Sequence, residues 1–116
     1  MDKVTMEKRM RRFGIAVARM CRKKGLRHPV DEVLVKQLVR CATSVCANYR
    51  AACHGKSRAD FHAKVKICEE ESDECEYWLD LVVEMGLFAA EEVEPLRTEA
   101  HELASILSAS ARSSAK

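Results

Sequence analysis

The most constraining feature of this 116-residue chain is a row of apolar and small residues between Phe61 and Val82. Steps of four and three residues alternate along it, through a stretch that contains no proline or glycine. Because this spacing keeps side chains on one face of an α-helix, it predicts a helix about twenty residues long. Ser57 followed by Asp60 predicts the N-terminal cap, and Gly86 suits the left-handed residue that ends a helix. The row consists of Phe61, Val65, Cys68, Ser72, Cys75, Leu79 and Val82.

Similar patterns predict three more helices and an all-α fold. Connections of a few residues force sequential helices to run antiparallel, which gives an up-down-up-down four-helix bundle. The small polar segment that starts at Ser108 is expected to fray. We predict one domain, residues 1–116, with helices over about residues 5–24, 31–53, 57–85 and 92–110.

Helix two carries two neighbouring apolar rows, and a helix packed within one bundle needs a single apolar face. We therefore interpret the second row as a contact with another subunit. Helix three widens in the same way near Trp78, Leu81 and Met85. The two rows of helix two are Leu34, Leu38, Cys41, Val45, Asn48 and Ala52, and Val35, Val39, Ala42, Cys46, Tyr49 and Cys53.

Ser44 and Asn48 interrupt the apolar middle of helix two, four residues apart. A buried Asn costs stability in a coiled coil but selects register and oligomeric state, because few arrangements satisfy its amide. We therefore predict that Ser44 and Asn48, together with Tyr49 and Trp78, belong to an oligomer interface. A direct contact of Asn48 with RNA or a ligand is the alternative.

The sequence offers no recognisable catalytic or cofactor site. It has no Glu-x-x-His pair of the kind that binds two irons in helical bundles, and no glycine-rich phosphate loop. Its six cysteines lie in helical patterns without any C-x-x-C pair, which is typical of reduced thiols used in packing. A metal site around Cys53, His54 and His62 is the alternative interpretation. We predict a non-enzymatic protein with no cofactor and no metal.

Hydropathy and cysteine usage predict a soluble cytoplasmic protein. No run of about eighteen apolar residues is present, and the first residues lack the pattern of an export signal. Reduced cysteines are typical of that compartment. We therefore expect no membrane partner.

The small net charge of +2 conceals a strong division along the chain. Residues 1–68 hold seventeen Lys and Arg against five Asp and Glu, and residues 69–116 hold three against thirteen. Opposite charge attracts the helices of the two halves, which is one interpretation of the pattern. The other is a polyanion site, because basic residues release counterions from nucleic acid. The candidate phosphate-binding residues of helix one and its link are Arg9, Arg11, Arg12, Arg19, Arg22, Lys23, Lys24 and Arg27.

Three segments resemble a known bacterial family: QLVRCATSVCAN at residues 37–48, KSRADF at residues 56–61 and EYWL at residues 76–79. They resemble the four-helix-bundle proteins encoded in intervening sequences of large-subunit ribosomal RNA genes. Relatives of that family include accessory variability determinants of diversity-generating retroelements, which partner a reverse transcriptase and its RNA. The resemblance implies an up-down bundle that assembles as a homopentameric ring.

Two functions are compatible with the sequence. The first is an oligomeric accessory protein that binds RNA or DNA phosphates through the basic first helix and its link. The second is a structural or adaptor oligomer that binds a protein such as a reverse transcriptase, because the acidic half suits a basic partner.

Overall fold

The computed structural model describes residues 2–115 and has, within that range, four α-helices and no strand. The all-α fold class is thus confirmed, and the packing is that of a bundle measuring 46 × 22 × 19 Å. The helices are α1 (Lys3–Arg22), α2 (Pro29–Cys53), α3 (Arg58–Glu84) and α4 (Ala90–Ser114).

Sequential helices pack side by side in antiparallel order. The backbones of α1 and α4 also approach each other, whereas those of the diagonal pairs α1 with α3 and α2 with α4 do not. The contacts between α1 and α2 show this antiparallel order. Met10 of α1 lies against Cys46 of α2, and Gly14, one turn later in α1, lies against Ala42, one turn earlier in α2. Each inner helix, α2 or α3, therefore has a close neighbour on two sides.

The row on α3 forms the centre of the core. Val65, Cys68, Cys75, Leu79 and Val82 are completely buried, and Phe61 at the start of the row is half-buried. Ser72 is also buried, and its hydroxyl oxygen has no hydrogen-bond partner within residues 2–115. The helix predicted from this row is present over nearly the expected range.

The second row of α2 packs within the same chain. Its members Val35, Ala42 and Tyr49 are buried in the core, on the side of α2 that faces α1. One row therefore contacts α3 and the other contacts α1. The interpretation that the second row requires another subunit is wrong, because a helix flanked by two neighbours buries two adjacent faces without leaving its own bundle.

The helix ends follow local capping rules. The Asp2 carboxylate accepts from the Thr5 amide at 2.8 Å, and the Ser57 hydroxyl accepts from the Asp60 amide at 3.1 Å. These bonds satisfy amides that have no partner inside the helix. Gly86 follows α3 with a φ of +73°, a left-handed conformation that a glycine adopts without strain. The Ser57 cap and the role of Gly86 are confirmed.

Helix α4 is longer than expected at both ends, since it begins at Ala90 and continues to Ser114. The expected fraying from Ser108 is wrong, because Ala111 is buried and anchors the last turns. Arg58 also donates to the terminal carbonyls of Ser113 and Ser114, at 3.0 and 3.2 Å. Cations near a helix C-terminus stabilise the carbonyl groups that lack partners.

Gly14 lets α1 and α2 approach closely. A Cβ atom at this position would lie 2.5 Å from the Cys46 Sγ and 3.2 Å from the Ala42 carbonyl oxygen. The Cys46 thiol occupies the vacated space and lies 3.1 Å from the carbonyl oxygens of both Met10 and Ala42. Glycine is required here by the space between two helices, since its φ is not positive.

Gly14→Ala should lower the free energy of unfolding by about 1–2 kcal/mol, because the cost of overpacking exceeds the gain in helix propensity. Urea titration followed by circular dichroism measures the change. Adding Cys46→Ala should restore part of the stability by removing the clashing sulfur.

The matched control is Gly25→Ala, because nothing lies within 4 Å of the added Cβ there. Its effect should stay within about 0.5 kcal/mol. Equal stabilities of Gly14→Ala and the parent protein would contradict the close approach.

Candidate nucleic-acid interface

An exposed line of basic residues runs along the outer side of α1. Lys8, Arg12, Arg19 and Arg22 are all exposed, and Ile15 lies between them in the same four-three spacing. At 1.5 Å per residue, the line from Lys8 to Arg22 is about 21 Å long. No carboxylate within residues 2–115 lies at ion-pairing distance from these four cations. We call Lys8, Arg12, Arg19 and Arg22 the cation stripe.

The eight basic residues singled out in the sequence divide into three groups. Arg12, Arg19 and Arg22 belong to the cation stripe, and Arg9 and Arg11 form ion pairs with carboxylates of the chain. The remaining three are exposed at the end of α1 and in its link. These three residues are Lys23, Lys24 and Arg27.

Arg9 joins α1 to α4 instead of facing outward. Its guanidinium donates to both carboxylate oxygens of Glu99, at 2.7 and 2.8 Å, and to Glu102 at 2.6 Å. The hydrogen bond from Arg9 lowers the pKa of Glu99, and the same bond raises the pKa of Arg9. A bidentate, three-quarters buried pair of this kind is a structural contact.

Beside the cation stripe, α1 and α2 enclose a shallow groove with a volume of about 360 Å³. We call it the α1–α2 groove. Its floor is mainly apolar, and Arg11 and Arg50 stand on its rim around the Glu7 carboxylate. The residues of the floor include Gly14, Ile15, Ala18 and Ala47.

Sequence reasoning missed two basic residues of this surface. Lys8 shares the four-three spacing of Arg12 and Arg19, so the periodicity of exposed positions contains the signal. Arg50 lies on α2, and no local pattern of α1 relates it to Arg11. Arg50 lies near Arg11 only because α1 and α2 pack against each other.

The opposite side of the bundle is acidic. Glu69, Glu70, Asp73 and Glu76 of α3 line a cleft of about 680 Å³ that α4 closes on its other side. His101 of α4 contributes its Nδ1 atom 3.2 Å from the Glu76 carboxylate. Lys66 and Arg112 also line this cleft, so carboxylates outnumber cations there four to two.

Three of the four residues expected at an oligomer interface lie along the junction of α2 and α3. The Asn48 amide donates to the Ser44 hydroxyl at 3.2 Å and to the Glu71 carboxylate at 2.8 Å. Trp78 is half-buried, and its indole donates to the Glu74 carboxylate at 3.0 Å. Tyr49 is 5% exposed and packs in the core of its own chain. The same two helices also carry exposed apolar residues, namely Val33 of α2 and Ile67, Tyr77 and Met85 of α3.

Glu74 organises the polar contacts of this junction. It accepts hydrogen bonds from the Cys41 thiol and the Trp78 indole, and it forms an ion pair with Arg40. The thiol hydrogen bond contributes most to the lowered pKa of Glu74. The carboxylate is therefore charged at neutral pH and holds α2 against α3.

The six cysteines of the chain are free thiols, and burial raises the pKa of several of them. The pKa of Cys21 rises to about 11 and that of Cys68 to about 12. Within the described range, no group of three His, Cys, Asp or Glu residues is arranged to hold a metal ion. None of the four helices, over that same range, combines the length and apolar character needed to cross a bilayer.

Comparison with known proteins identifies relatives of this bundle. The family model described as 23S rRNA-intervening sequence protein matches residues 2–109. A crystal structure of a protein of unknown function from the S23 ribosomal protein family of Bacteroides thetaiotaomicron superposes with a TM-score of 0.84. The two chains are 28% identical over 97% of this chain and 99% of the other. No curated protein matches the sequence significantly. Neither description names a catalytic activity.

Arg9→Gln should lower the free energy of unfolding at pH 7 by about 1 kcal/mol, because it removes a bidentate, partly buried ion pair. The pKa of Glu99 is lowered in the folded protein, so the ion pair contributes its full stability at pH values above 4.5, the ordinary pKa of Glu. This contribution disappears as the pH falls through the lowered pKa. The difference between variant and parent should therefore shrink in acid, as measured by urea titrations at several pH values.

Arg19→Gln is the control, because Arg19 is exposed on the cation stripe. It should change stability by less than about 0.5 kcal/mol at every pH. A destabilisation by Arg9→Gln that does not vary with pH would contradict the role of the ion pair.

Proposed function

Because the chain belongs to the 23S rRNA-intervening sequence protein family, we propose that it is a non-enzymatic accessory protein that binds RNA or DNA. In this proposal, the cation stripe of α1 holds backbone phosphates. Lys23, Lys24 and Arg27 extend the contact beyond the end of the helix. The protein acts in the cytoplasm, and its six free cysteines fit a reducing compartment.

The observation that carries this proposal is the contrast between Arg9 and the cation stripe. Arg9 is held by Glu99 and Glu102, whereas the four stripe residues project from one side of α1 and have no carboxylate partner among residues 2–115. Cations that are not already paired release counterions from a polyanion without first breaking an internal contact. Their common side allows simultaneous contact with one nucleic-acid strand.

The distribution of charge also favours a defined orientation. The acidic cleft of α3 and α4 lies on the opposite side from the stripe and repels phosphate. Nucleic acid approaching this protein is therefore steered to α1. Exposed aromatic residues are absent from the described part of α1, so phosphate contacts dominate over base stacking on the stripe itself.

We further propose that the protein assembles as a homopentameric ring through the outer face of the α2–α3 junction. The number five comes from the family resemblance, and the exposed side chains of Val33, Tyr77 and Met85 support a covered face. A ring presents several cation stripes to one polyanion, and linked sites bind more tightly than a single site.

The acidic cleft supports a second candidate function, an adaptor that binds a basic protein such as a reverse transcriptase. Its lining holds four carboxylates, on Glu69, Glu70, Asp73 and Glu76, against the two cations of Lys66 and Arg112, and its volume leaves room for basic side chains. Charge complementarity of this kind governs association rate and specificity. Co-purification of a protein partner, with no nucleic acid after a wash at low salt, favours this function over the first.

Replacing Arg12, Arg19 and Arg22 together with Gln should weaken binding to duplex RNA and duplex DNA alike. Each phosphate that a cation binds releases a counterion. The slope of log affinity against log salt should therefore become less steep by about 0.9 for each phosphate of B-DNA that the variant no longer binds. Filter binding across a salt series measures both the affinity and the slope.

The matched control is Arg97→Gln with Arg112→Gln, two exposed cations of α4. These changes should leave the salt slope unaltered. Absence of binding by the parent protein at low salt would refute the proposed function, and an unaltered slope in the triple variant would exclude the stripe as the site.

Trp78→Ala and Met85→Ser should each reduce the assembly to smaller species, because both residues lie on the face proposed to join subunits. Light scattering gives the mass of the assembly, and circular dichroism reports whether the helices remain. Val4→Ser serves as the comparison, because Val4 is an exposed apolar residue of α1, away from the α2–α3 junction. An unchanged mass for Trp78→Ala and Met85→Ser would exclude this face.

A further inference from the structure

We propose that the α1–α2 groove receives an unpaired nucleobase of the nucleic acid that the cation stripe holds. The protein would then prefer RNA or DNA with bulged or single-stranded nucleotides over a continuous duplex. This inference rests on the proposed function and assigns a substrate class to it.

The groove opens directly onto the cation stripe. Ile15 stands in the line between Arg12 and Arg19, and its side chain is 42% exposed where it lines the groove. A strand that contacts Arg12 and Arg19 therefore passes Ile15 at the edge of the groove. The bases of this strand are the nearest apolar groups available to fill it.

The chemistry of the rim matches a nucleotide. Arg11 and Arg50 stand around the groove with side chains 61% and 67% exposed, and Glu7 is the carboxylate that both approach. Guanidinium planes stack on unpaired bases and also bind phosphate. Two guanidinium groups and one carboxylate leave the rim with a net positive charge, which favours an apolar ring that carries a phosphate, as a nucleotide within a strand does.

The floor is suited to a flat apolar ring. The Thr43 hydroxyl donates to the Val39 carbonyl at 2.8 Å, and the Cys46 thiol lies 3.1 Å from the Met10 and Ala42 carbonyls. These polar groups therefore have hydrogen-bond partners inside the chain, and an apolar ligand in the groove would leave none of them unsatisfied. The Glu7 carboxylate remains at the rim as an acceptor for an exocyclic amino group.

A paired base cannot use this site. The groove lies between two closely packed helices, and the Cys46 thiol fills the space beside Gly14 at its base. Bases inside a duplex are stacked and paired, so they do not protrude far enough to enter. Its volume of about 360 Å³ is near the lower limit for small-molecule sites, which suits one base better than a docking helix.

The test compares a fully paired RNA duplex with the same duplex carrying a bulge of unpaired adenosines, using fluorescence anisotropy at one salt concentration. The bulged RNA should bind about tenfold more tightly, because contact with a single unpaired base contributes at that level. Ala47→Leu fills the groove from α2 and should abolish this preference while leaving the affinity for the full duplex unchanged.

Ala63→Leu is the matched control, since Ala63 is an exposed alanine of α3 outside the groove. It should retain the tenfold preference. Ala18→Leu is a second groove variant, which fills the groove from α1. Circular dichroism shows which of the two variants is folded. If one of them is misfolded, the RNA preference of the other tests the inference.

The outcomes separate the two proposals. Equal binding of bulged and full duplex by the parent protein overturns the groove inference and leaves the proposed function intact. If a folded groove variant still prefers bulged RNA, the groove inference is also overturned. A groove variant with a changed assembly mass overturns it too, because the groove would then be a contact between subunits. Failure to bind either RNA overturns the proposed function itself.

Discussion

The two-sided burial of α2 is the packing constraint on which the rest of the structure depends. Its apolar rows meet α1 on one side and α3 on the other, so the third and fourth helices are positioned through it. Gly14 sets how closely α1 approaches, and the Glu74 contacts hold α3. The surface between α1 and α2, including the groove, is a direct result of this arrangement.

The basic residues of α1 form two groups according to the side of the helix on which they lie. The side of α1 that faces α4 uses Arg9 to bind two carboxylates, and the outer side carries cations with no such partners among the described residues. An arginine in an internal ion pair and an unpaired surface arginine have the same residue type but different energetic roles. The first contributes to the bundle, and the second raises the local potential and is screened by salt.

Local patterns in the sequence were sufficient to predict the helices, because the spacing of Val65, Cys68 and Leu79 and the cap at Ser57 depend on residues within a few positions. Family membership followed from the same part of the chain. The partner of Arg9 and the packing of Tyr49 could not be predicted, because both depend on which helix lies alongside. The groove could not be predicted either, because it depends on the distance between α1 and α2 at Gly14. The periodicity of a single helix carries no information about that distance.

The position of α1 in the bundle has a thermodynamic consequence. Its backbone approaches α2 closely and α4 over a shorter stretch, so it has fewer close backbone contacts with other helices than α2, α3 or α4 has. Loosely packed elements open locally at low cost in free energy, and a ligand that binds their closed form raises that cost. A polyanion lying along the outer side of α1 would therefore add contacts across successive turns of the helix whose backbone has the fewest close neighbours.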